Sequence, residues 1–388
     1  MEDVRPRRFS PIVENQIAAL YEAQKYGDAG LEFVIKVFKD LVAQDKRGEL
    51  KQVMWAAYDL LCSRTEPQIK QVLWDYNPYQ LFECINSFSG HGYCEGGASA
   101  IAISPNGQTL ATSSRNSELI KIWQLHTGQE ICTITGHAKG THSLAFNSEE
   151  QTLWGSSYCG HEDEYDNWFE IKEWNLQTGE VIHCLPGYGD FALSPNGQLL
   201  VTGSWNEIEV WDLQTKQKIH TLQGTCWVKS ITFSTDGKTV ISTDDMMCAG
   251  STKYIKVWDL NTGQLIRTLG DKTEYCEAFV LNPNGQTLIS TTDKGNLKTW
   301  HLSTGELLHR VLIPLSPLTL SLDGHTLIND CRNIGSINNT ISVWDLRTWQ
   351  EIPTFMKHPD ITSIALSRDG QNIVSSNYNR TIKVWGVP

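Results

Sequence analysis

Long hydrophobic runs are missing from this sequence of 388 residues. No stretch of 18 apolar residues occurs, although a membrane-spanning helix needs about 20. The opening Met-Glu-Asp-Val-Arg-Pro-Arg-Arg also lacks the apolar segment of a secretory leader. We therefore expect a cytoplasmic protein that does not enter a membrane. A chain of this length favours two domains over one.

Catalytic and metal-binding motifs are missing as well. The ten cysteines show no Cys-x-x-Cys or Cys-x-x-His spacing, which argues against a zinc site or a dithiol redox motif. No Gly-x-Ser-x-Gly, His-Glu-x-x-His or dinucleotide fingerprint occurs. We expect no catalytic residue, no metal and no cofactor. One alternative stays open at residues 156–170, where carboxylates gather without the spacing of an EF-hand: an acidic surface loop is favoured over a cation site.

Positive charge is scarce. The chain has 32 Lys and Arg against 44 Asp and Glu, a net charge of −12. Residues 1–80 hold 11 basic and 12 acidic side chains, so the remainder, with 21 against 32, carries −11. A surface of this sign repels phosphate backbones and anionic lipid headgroups. Neither a nucleic acid nor a membrane is predicted as a partner.

Tryptophan, in contrast, is abundant, with 14 copies. One phrase recurs, in which a polar residue and an apolar residue precede Trp, often followed by Asp-Leu. Its successive spacings are 51, 37, 47, 42, 44 and 41 residues, about the length of a four-stranded sheet unit. The recurring residues, interpreted as structural packing residues, are Trp123, Trp174, Trp211, Trp258, Trp300, Trp344 and Trp385.

Two kinds of turn keep phase with this tryptophan. Asn-Gly or Asp-Gly pairs precede most of the units, and between apolar strands they are the strongest short hairpin pattern. They lie at 106–107, 196–197, 236–237, 284–285, 323–324 and 369–370. A Thr-Gly-Gln or Thr-Gly-Glu turn follows the tryptophan in four units. Each unit is therefore predicted to be a small antiparallel meander.

With Gly90-His91 and Gly136-His137 added, residues 80–388 resemble the WD-repeat (WD40) family. The resemblance implies a seven-bladed β-propeller, in which His91 and His137 join a structural hydrogen-bond network of His, Ser or Thr, and Trp. Trp-Asp itself survives in three units only, so we expect several blades to depend on packing instead. The regular Ser-Pro-Asn-Gly-Gln phrasing resembles bacterial, especially cyanobacterial, members of the family.

The last repeat lacks an outer strand, because Trp385 lies in a third strand and the sequence stops at Pro388. Residues 81–89 precede Gly90-His91 just as a fourth strand precedes the next Gly-His. We predict that this N-terminal strand pairs with the C-terminal blade and closes the ring, which removes two unpaired sheet edges.

Residues 1–79 change to a helical period and form the predicted second domain. Stripes such as Leu31, Val34, Ile35 and Phe38 are followed by Leu50, Val53, Met54, Ala57 and Leu61. The pair 30–44 and 49–63 resembles a single HEAT-type helix hairpin. A lone hairpin cannot bury its own stripes, so it either caps the propeller or docks a partner.

The two faces of the predicted ring differ. In blades of strands a, b, c and d, the a–b and c–d turns share one face and have nearly the same sequence throughout. Length varies at the other face, in the b–c and d–a connections, where function is usually placed on repeat proteins. The predicted partner-binding residues there are Trp205, Trp227, Lys229, Tyr275, Glu277, His142 and Asp360. Trp227 and Tyr275 have an alternative role as plugs of the channel mouth.

We therefore predict a non-enzymatic scaffold that binds partner proteins or peptides on the variable face. The alternative is a propeller enzyme or small-ligand binder that uses the central channel.

Overall fold

The structure is a computed structural model. It describes residues 11–44, 50–62, 79, 82–91, 98–114, 117–135, 139–158, 169–187, 190–203, 207–223, 228–244, 254–270, 274–312, 318–330, 341–352, 354 and 356–387.

Three helices form the N-terminal part. They are α1 (Pro11–Ala23), α2 (Gly27–Gln44) and α3 (Lys51–Cys62), with a 3-10 turn at Gln24–Tyr26. Val34, Phe38, Ala57 and Leu61 from the predicted stripes are buried in one common core. The helical period is confirmed, whereas the likeness to a HEAT hairpin stays a prediction. At Gly30, a Cβ would overlap the carbonyl of Ala23, so only glycine lets α2 approach α1 this closely.

Twenty-eight strands follow among the described residues, in seven antiparallel sheets of four. The first strand, β1 (Glu83–Ser89), belongs to the last sheet. Blade 1 contains β2 (Ala98–Ile103), β3 (Thr109–Ser114), β4 (Leu119–Gln124) and β5 (Glu130–Thr135). Blade 2 contains β6 (Lys139–Phe146), β7 (Thr152–Tyr158), β8 (Phe169–Asn175) and β9 (Val181–Pro186). Blade 3 contains β10 (Phe191–Leu193), β11 (Leu199–Gly203), β12 (Glu207–Asp212) and β13 (Gln217–Gln223).

The remaining blades follow the same order. Blade 4 contains β14 (Val228–Phe233), β15 (Thr239–Asp244), β16 (Ile255–Asp259) and β17 (Leu265–Leu269). Blade 5 contains β18 (Cys276–Leu281), β19 (Thr287–Thr292), β20 (Asn296–His301) and β21 (Leu307–Leu312). Blade 6 contains β22 (Leu318–Leu320), β23 (Thr326–Asp330), β24 (Ile341–Asp345) and β25 (Gln350–Ile352). Blade 7 contains β26 (Ile361–Leu366), β27 (Asn372–Asn377), β28 (Thr381–Gly386) and β1. The prediction of a seven-bladed β-propeller is confirmed.

Burial changes from the inner to the outer strand of each blade. Strands b and c are buried on both sides, as in β15 and β16, because neighbouring blades stack on them. Strands a contact strands a of neighbouring blades and therefore line the channel. Strands d are the outer ones, and alternate side chains of β5 and β9 reach solvent.

The recurring tryptophans all occupy strand c, opposite a buried apolar residue of strand b. The pairs are Leu110–Trp123, Leu153–Trp174, Leu200–Trp211, Val240–Trp258, Leu288–Trp300, Leu327–Trp344 and Ile373–Trp385. Each apolar partner is fully buried. An indole of this size can remove 150–250 Å² from water, so the seven pairs form the main packing layers between blades.

The predicted closure of the ring is confirmed, with bounds two residues shorter at the N-terminal end. β1 pairs antiparallel with β28, from Glu83 opposite Gly386 to Ser89 opposite Thr381. Phe88 packs its ring on Trp123 of blade 1, with 5.0 Å between centroids. β1 therefore both completes blade 7 and covers the side of blade 1.

The helices touch the propeller through α3. The hydroxyl of Tyr58 donates to Oδ2 of Asp323, in the a–b turn of blade 6, over 2.8 Å. Tyr58 also lies against Phe38 of α2, with ring centroids 6.4 Å apart. Between helices and strands, Tyr79 and Phe82 pack in the same core as Trp385.

Replacing Phe88 with alanine is expected to lower the free energy of unfolding by about 2 kcal/mol, because a partly buried ring leaves the blade 1–blade 7 contact. Chemical denaturation measures this change. Phe33→Ala is the matched control, since Phe33 of α2 is 45% exposed, and its effect should stay within about 0.5 kcal/mol. Equal effects of the two substitutions would contradict the closing role of β1.

Candidate functional site

The face formed by the a–b and c–d turns, here called the lower face, is uniform. Five residues separate strands a and b in every blade, and four or five separate strands c and d in the six blades that have such a turn. The a–b turns repeat one set of hydrogen bonds: in blade 1, Gly107 N–H donates to the Ser104 carbonyl over 2.8 Å and Thr109 N–H donates to Ser104 Oγ over 2.9 Å.

The residue that follows the recurring tryptophan caps the c–d turn. Asp212 Oδ1 accepts the backbone N–H of Gln214 and Thr215, over 2.9 and 2.7 Å. Asn175 Oδ1 accepts the same kind of bond in blade 2, and His301 Nδ1 accepts one in blade 5. Because Asp, Asn and His all supply an acceptor, Trp-Asp can erode without loss of the turn.

The face formed by the b–c and d–a connections, here called the upper face, is individual. Strands b and c are separated by 4, 10, 3, 10, 3, 10 and 3 residues in blades 1 to 7, so the long connections belong to alternate blades. The d–a connections range from three to eight residues. The predicted contrast between the faces is thus present in the strand bounds.

Four of the predicted site residues lie on the first positions of strands a in blades 4 and 5 or beside them. Lys229 Nζ and Glu277 Oε2 form an ion pair of 2.7 Å that joins these blades. Both side chains are about three-quarters buried, at 29% and 25% exposure. Tyr275 is partly buried, and its N–H donates to Asp293 Oδ1 in the b–c turn over 2.9 Å. Trp227 lies outside the described residues, as do Trp205 and His137.

The other two described site residues, His142 and Asp360, are exposed in blades 2 and 7. His142 has the Lys229 position in its blade, by the register of strands a and b. Asp360 has a φ of 55°, a left-handed conformation that non-glycine residues rarely adopt. The fold therefore does not bring His142, Glu277 and Asp360 together, since they belong to three non-adjacent blades.

Asp190, at the channel, was missed by the sequence analysis. Its Oδ2 lies 3.3 Å from both Ser230 Oγ and the Ile231 nitrogen of blade 4. Burial raises the pKa of Asp190, while bonds from Ile231 N–H, Ser143 of blade 2 and other donors oppose the rise. One carboxyl group thus links three successive blades. An acidic residue just before the predicted strand a was the available clue.

Two buried ion pairs near the upper ends of blades 4 and 5 were missed too. Lys256 Nζ lies 2.8 Å from Asp244 Oδ2, and Lys298 Nζ lies 2.8 Å from Glu274 Oε2. All four side chains are at most 5% exposed. Burial would raise the pKa of Glu274, but bonds from Lys298 and Thr292 and the charges around it lower it overall. Losing one member of such a pair typically costs 3–5 kcal/mol, so these groups hold blades in place.

The tryptophan networks differ between blades. Trp123 Nε1 donates to Thr112 Oγ1, which is also bonded to His91 Nε2. Blade 7 repeats this arrangement with Trp385, Ser375 and His358. In blades 4 and 5 the indole N–H donates to a serine alone. The buried Nε1 atoms of Trp211 and Trp344 have no hydrogen-bond partner among the described residues. The expected reliance on packing is confirmed for these two blades.

Sequence analysis overlooked His358, because lysine precedes it where the family phrase has glycine. Its side chain is 1% exposed, and Nδ1 lies 2.6 Å from Ser375 Oγ. Burial, aided by the charge of Lys383, lowers the pKa of His358 to about 4.

Within the described part of the chain, no group of three or more His, Cys, Asp and Glu side chains could hold a metal ion. Most of the acidic segment 156–170 lies outside the described residues. No helix of the described part is both long enough and apolar enough to cross a membrane.

The b–c turns of blades 5 and 7 share the same hydrogen bonds. Tyr378 N–H donates to the Asp360 carbonyl, and Arg380 N–H to the Asn377 carbonyl, over 3.1 and 3.0 Å. In blade 5, Gly295 occupies the position of Arg380 and has a φ of 75°, against 68° for Arg380. Blade 7 therefore places an arginine where its counterpart has the unstrained glycine.

Arg380→Gly is expected to leave the free energy of unfolding unchanged or to raise it by up to about 1 kcal/mol, because the left-handed strain disappears while the unfolded chain gains freedom. Gly295→Arg, the reciprocal change, should cost about 1–2 kcal/mol. Urea denaturation of both variants checks this. A loss above about 1 kcal/mol for Arg380→Gly would show that the guanidinium stabilises the turn.

His358 should make stability depend on pH. Its pKa falls from 6.5 to about 4 on folding, so below pH 6.5 the unfolded chain binds a proton that the native protein does not. Stability is full above this value and decreases as the pH falls from 6.5 towards 4, by about 2–3 kcal/mol in total. Denaturation curves of the protein and of His358→Gln across this range measure the difference. Parallel pH profiles would contradict a buried neutral imidazole.

Comparison with known proteins agrees with this geometry. The WD40 family model, described as WD domain, G-beta repeat, matches residues 82–124, 179–212, 216–259 and 349–386. The chain is similar to WD repeat-containing protein SL1-17 of Schistosoma mansoni, with 25% identity over 176 residues. That alignment covers 45% of this chain and 55% of that protein. The chain thus contains WD40 repeats, and they build a seven-bladed β-propeller.

Proposed function

We propose that the propeller is a binding scaffold that holds partner proteins or peptides on its upper face. WD40 propellers commonly have this role. The observation that carries the proposal is the contrast in connection length: five residues at every a–b turn, but three to ten at the b–c connections. Uniform turns serve the fold alone, whereas individual connections can present a specific surface.

The position of α3 supports the same face. Tyr58 contacts Asp323 in a lower-face turn, so this contact leaves the upper face of blade 6 accessible. In the proposed division, residues 1–79 form a helical domain that caps the lower face and residues 80–388 form the binding propeller. The alternative, in which the helices dock a partner themselves, is supported by their exposed aromatic side chains, Tyr21, Tyr26 and Phe33.

Catalysis in the central channel is the second candidate and has weaker support. It would need convergent acids or bases, yet His142, Glu277 and Asp360 start different strands, and Glu277 is paired with Lys229. Next to this pair, burial raises the pKa of Cys276 to about 12, so its thiol stays protonated and unreactive at neutral pH. We therefore favour a protein without enzymatic activity.

The net charge of −12 supports a protein partner over nucleic acid or an anionic membrane. A cytoplasmic location and a bacterial origin stay predictions from the sequence.

A capture experiment tests the proposed face. Full-length protein is immobilised, and captured proteins are compared with those held by Trp227→Ala/Tyr275→Ala. Loss of two aromatic contact residues should weaken capture at least about 30-fold, the effect of about 2 kcal/mol. Leu322→Ala is the matched control on the lower face, where Leu322 is 60% exposed. Unchanged melting temperatures must accompany the loss. Full retention by the upper-face variant, or equal loss by Leu322→Ala, would contradict the proposal.

A further inference from the structure

Tyr378 is an exposed aromatic side chain on the upper face of blade 7. It is 64% exposed and lies in the b–c turn between β27 and β28. The other large apolar side chains that the described part leaves exposed lie on the helices, on the outer strands or in the lower-face turn at Leu322. Isolated exposed tyrosines on rigid turns are common contact residues, because they bury much area for little lost freedom.

The turn that carries Tyr378 is held on both sides. Besides the bonds to Asp360 and within the turn, Thr381 N–H donates to Asn377 Oδ1 over 2.9 Å. From the neighbouring connection, Gly90 N–H donates to the Arg380 carbonyl over 2.8 Å. Asn377 itself is 4% exposed. A side chain presented in this way needs little ordering when a partner binds.

Arg380 is a second unusual feature of the same turn. Its φ of 68° is one that glycine adopts at the matching position in blade 5, so the fold does not require arginine there. A strained residue retained where the structure does not need it points to a role outside the fold. A guanidinium is the cation that pairs best with carboxylates, since it can donate two parallel hydrogen bonds.

The local charge also differs from that of the whole ring. Residues 356–387 hold four Lys and Arg against two Asp, a balance of +2, within a propeller of −11. Lys357 is exposed in the d–a connection that reaches the turn through the Asp360–Tyr378 bond. Lys383, also in blade 7, points its Nζ to the Lys357 carbonyl over 2.9 Å, so the Lys357 side chain does not make that bond. An acidic ligand is therefore repelled by the ring as a whole and attracted at this edge.

We propose that Tyr378, Arg380 and Lys357 form a docking point for an acidic, extended segment of a partner protein. The inference rests on the proposed function of the upper face and adds the chemistry of the partner. Tyr378 packs against an apolar or aromatic residue of that segment, and the two cations pair with carboxylates beside it. Asp360, at the same edge, selects against basic segments and against nucleic acid.

A displayed library of random 12-residue peptides is the probe. It is panned against the immobilised full-length protein, and the dominant selected peptide is synthesised for fluorescence anisotropy. The expected peptides have more Asp and Glu than Lys and Arg and contain an apolar residue. Tyr378→Ala and Lys357→Glu should each weaken binding about tenfold or more, and added salt should weaken it further.

Two matched controls carry the same charge reversal elsewhere. Arg368→Glu changes an exposed cation in the lower-face turn of the same blade, and Lys294→Glu changes one in the equivalent upper-face turn of blade 5. Neither should alter peptide affinity by more than about twofold if the contact is local, since distant exposed charges are screened. Arg380→Gly removes the guanidinium and keeps the turn, so its expected loss of binding cannot be attributed to unfolding.

The outcomes separate this inference from the proposed function. Acidic peptides whose binding depends on Tyr378 and Lys357, but not on Arg368 or Lys294, support it. Peptides that depend on Tyr275 and not on Tyr378 overturn it and leave the upper face as the binding surface. Selected peptides without an acidic excess, equal loss in the controls, or no enrichment over a blank surface also overturn it.

Discussion

The whole ring depends on the pairing of β1 with β28. A propeller has protected edges only when its last blade is complete, and in this chain the fourth strand of blade 7 comes from the beginning of the propeller sequence. The pairing connects the two ends of about 300 residues, and Phe88 extends it onto Trp123 of the next blade. Because Tyr79 and Phe82 pack with Trp385, closure also fixes where the chain leaves the propeller towards the helices.

Within the closed ring, two kinds of contact act at different radii. Between strands b and c, indoles and fully buried aliphatic residues supply nondirectional packing, which tolerates the loss of a hydrogen bond at Trp211 and Trp344. Along the channel the ties are polar. Ser99 Oγ donates to the Thr141 carbonyl over 3.1 Å, and Lys229 pairs with Glu277. Polar ties of this kind have a direction, so they set how neighbouring blades are oriented rather than how strongly they adhere.

This arrangement divides the work between the faces. The lower face has the turns that cap each hairpin, and their hydrogen bonds leave little room for change. The upper face has connections that only need to start and end at the right strands, so their length can vary without cost to the sheets. The helices, through Tyr58 and Asp323, contact the invariable side. The individual side is thereby left to the proposed partner, with the basic edge of blade 7 standing out against an acidic ring.

Most of the fold could be predicted from the sequence, because repetition makes local patterns strong. Trp spacing, Asn-Gly turns and an orphan strand before Gly90 were enough for seven blades, their closure and the two unlike faces. The position of Tyr275 and Lys229 at strand a also followed, although their role as a binding site stays a prediction.

What the tertiary structure alone decided lies between blades. The pair Lys229–Glu277 and the bridging Asp190 join residues about one repeat apart, and only the stacking of sheets brings such side chains within bonding distance. His358 replaces a family histidine in space while lacking its sequence neighbour, and the left-handed φ of Arg380 appears only once the turn has formed. Sequence patterns record what each strand needs from its own hairpin. Contacts across the gaps depend on the distance and angle between neighbouring sheets, which the closed ring sets as a whole.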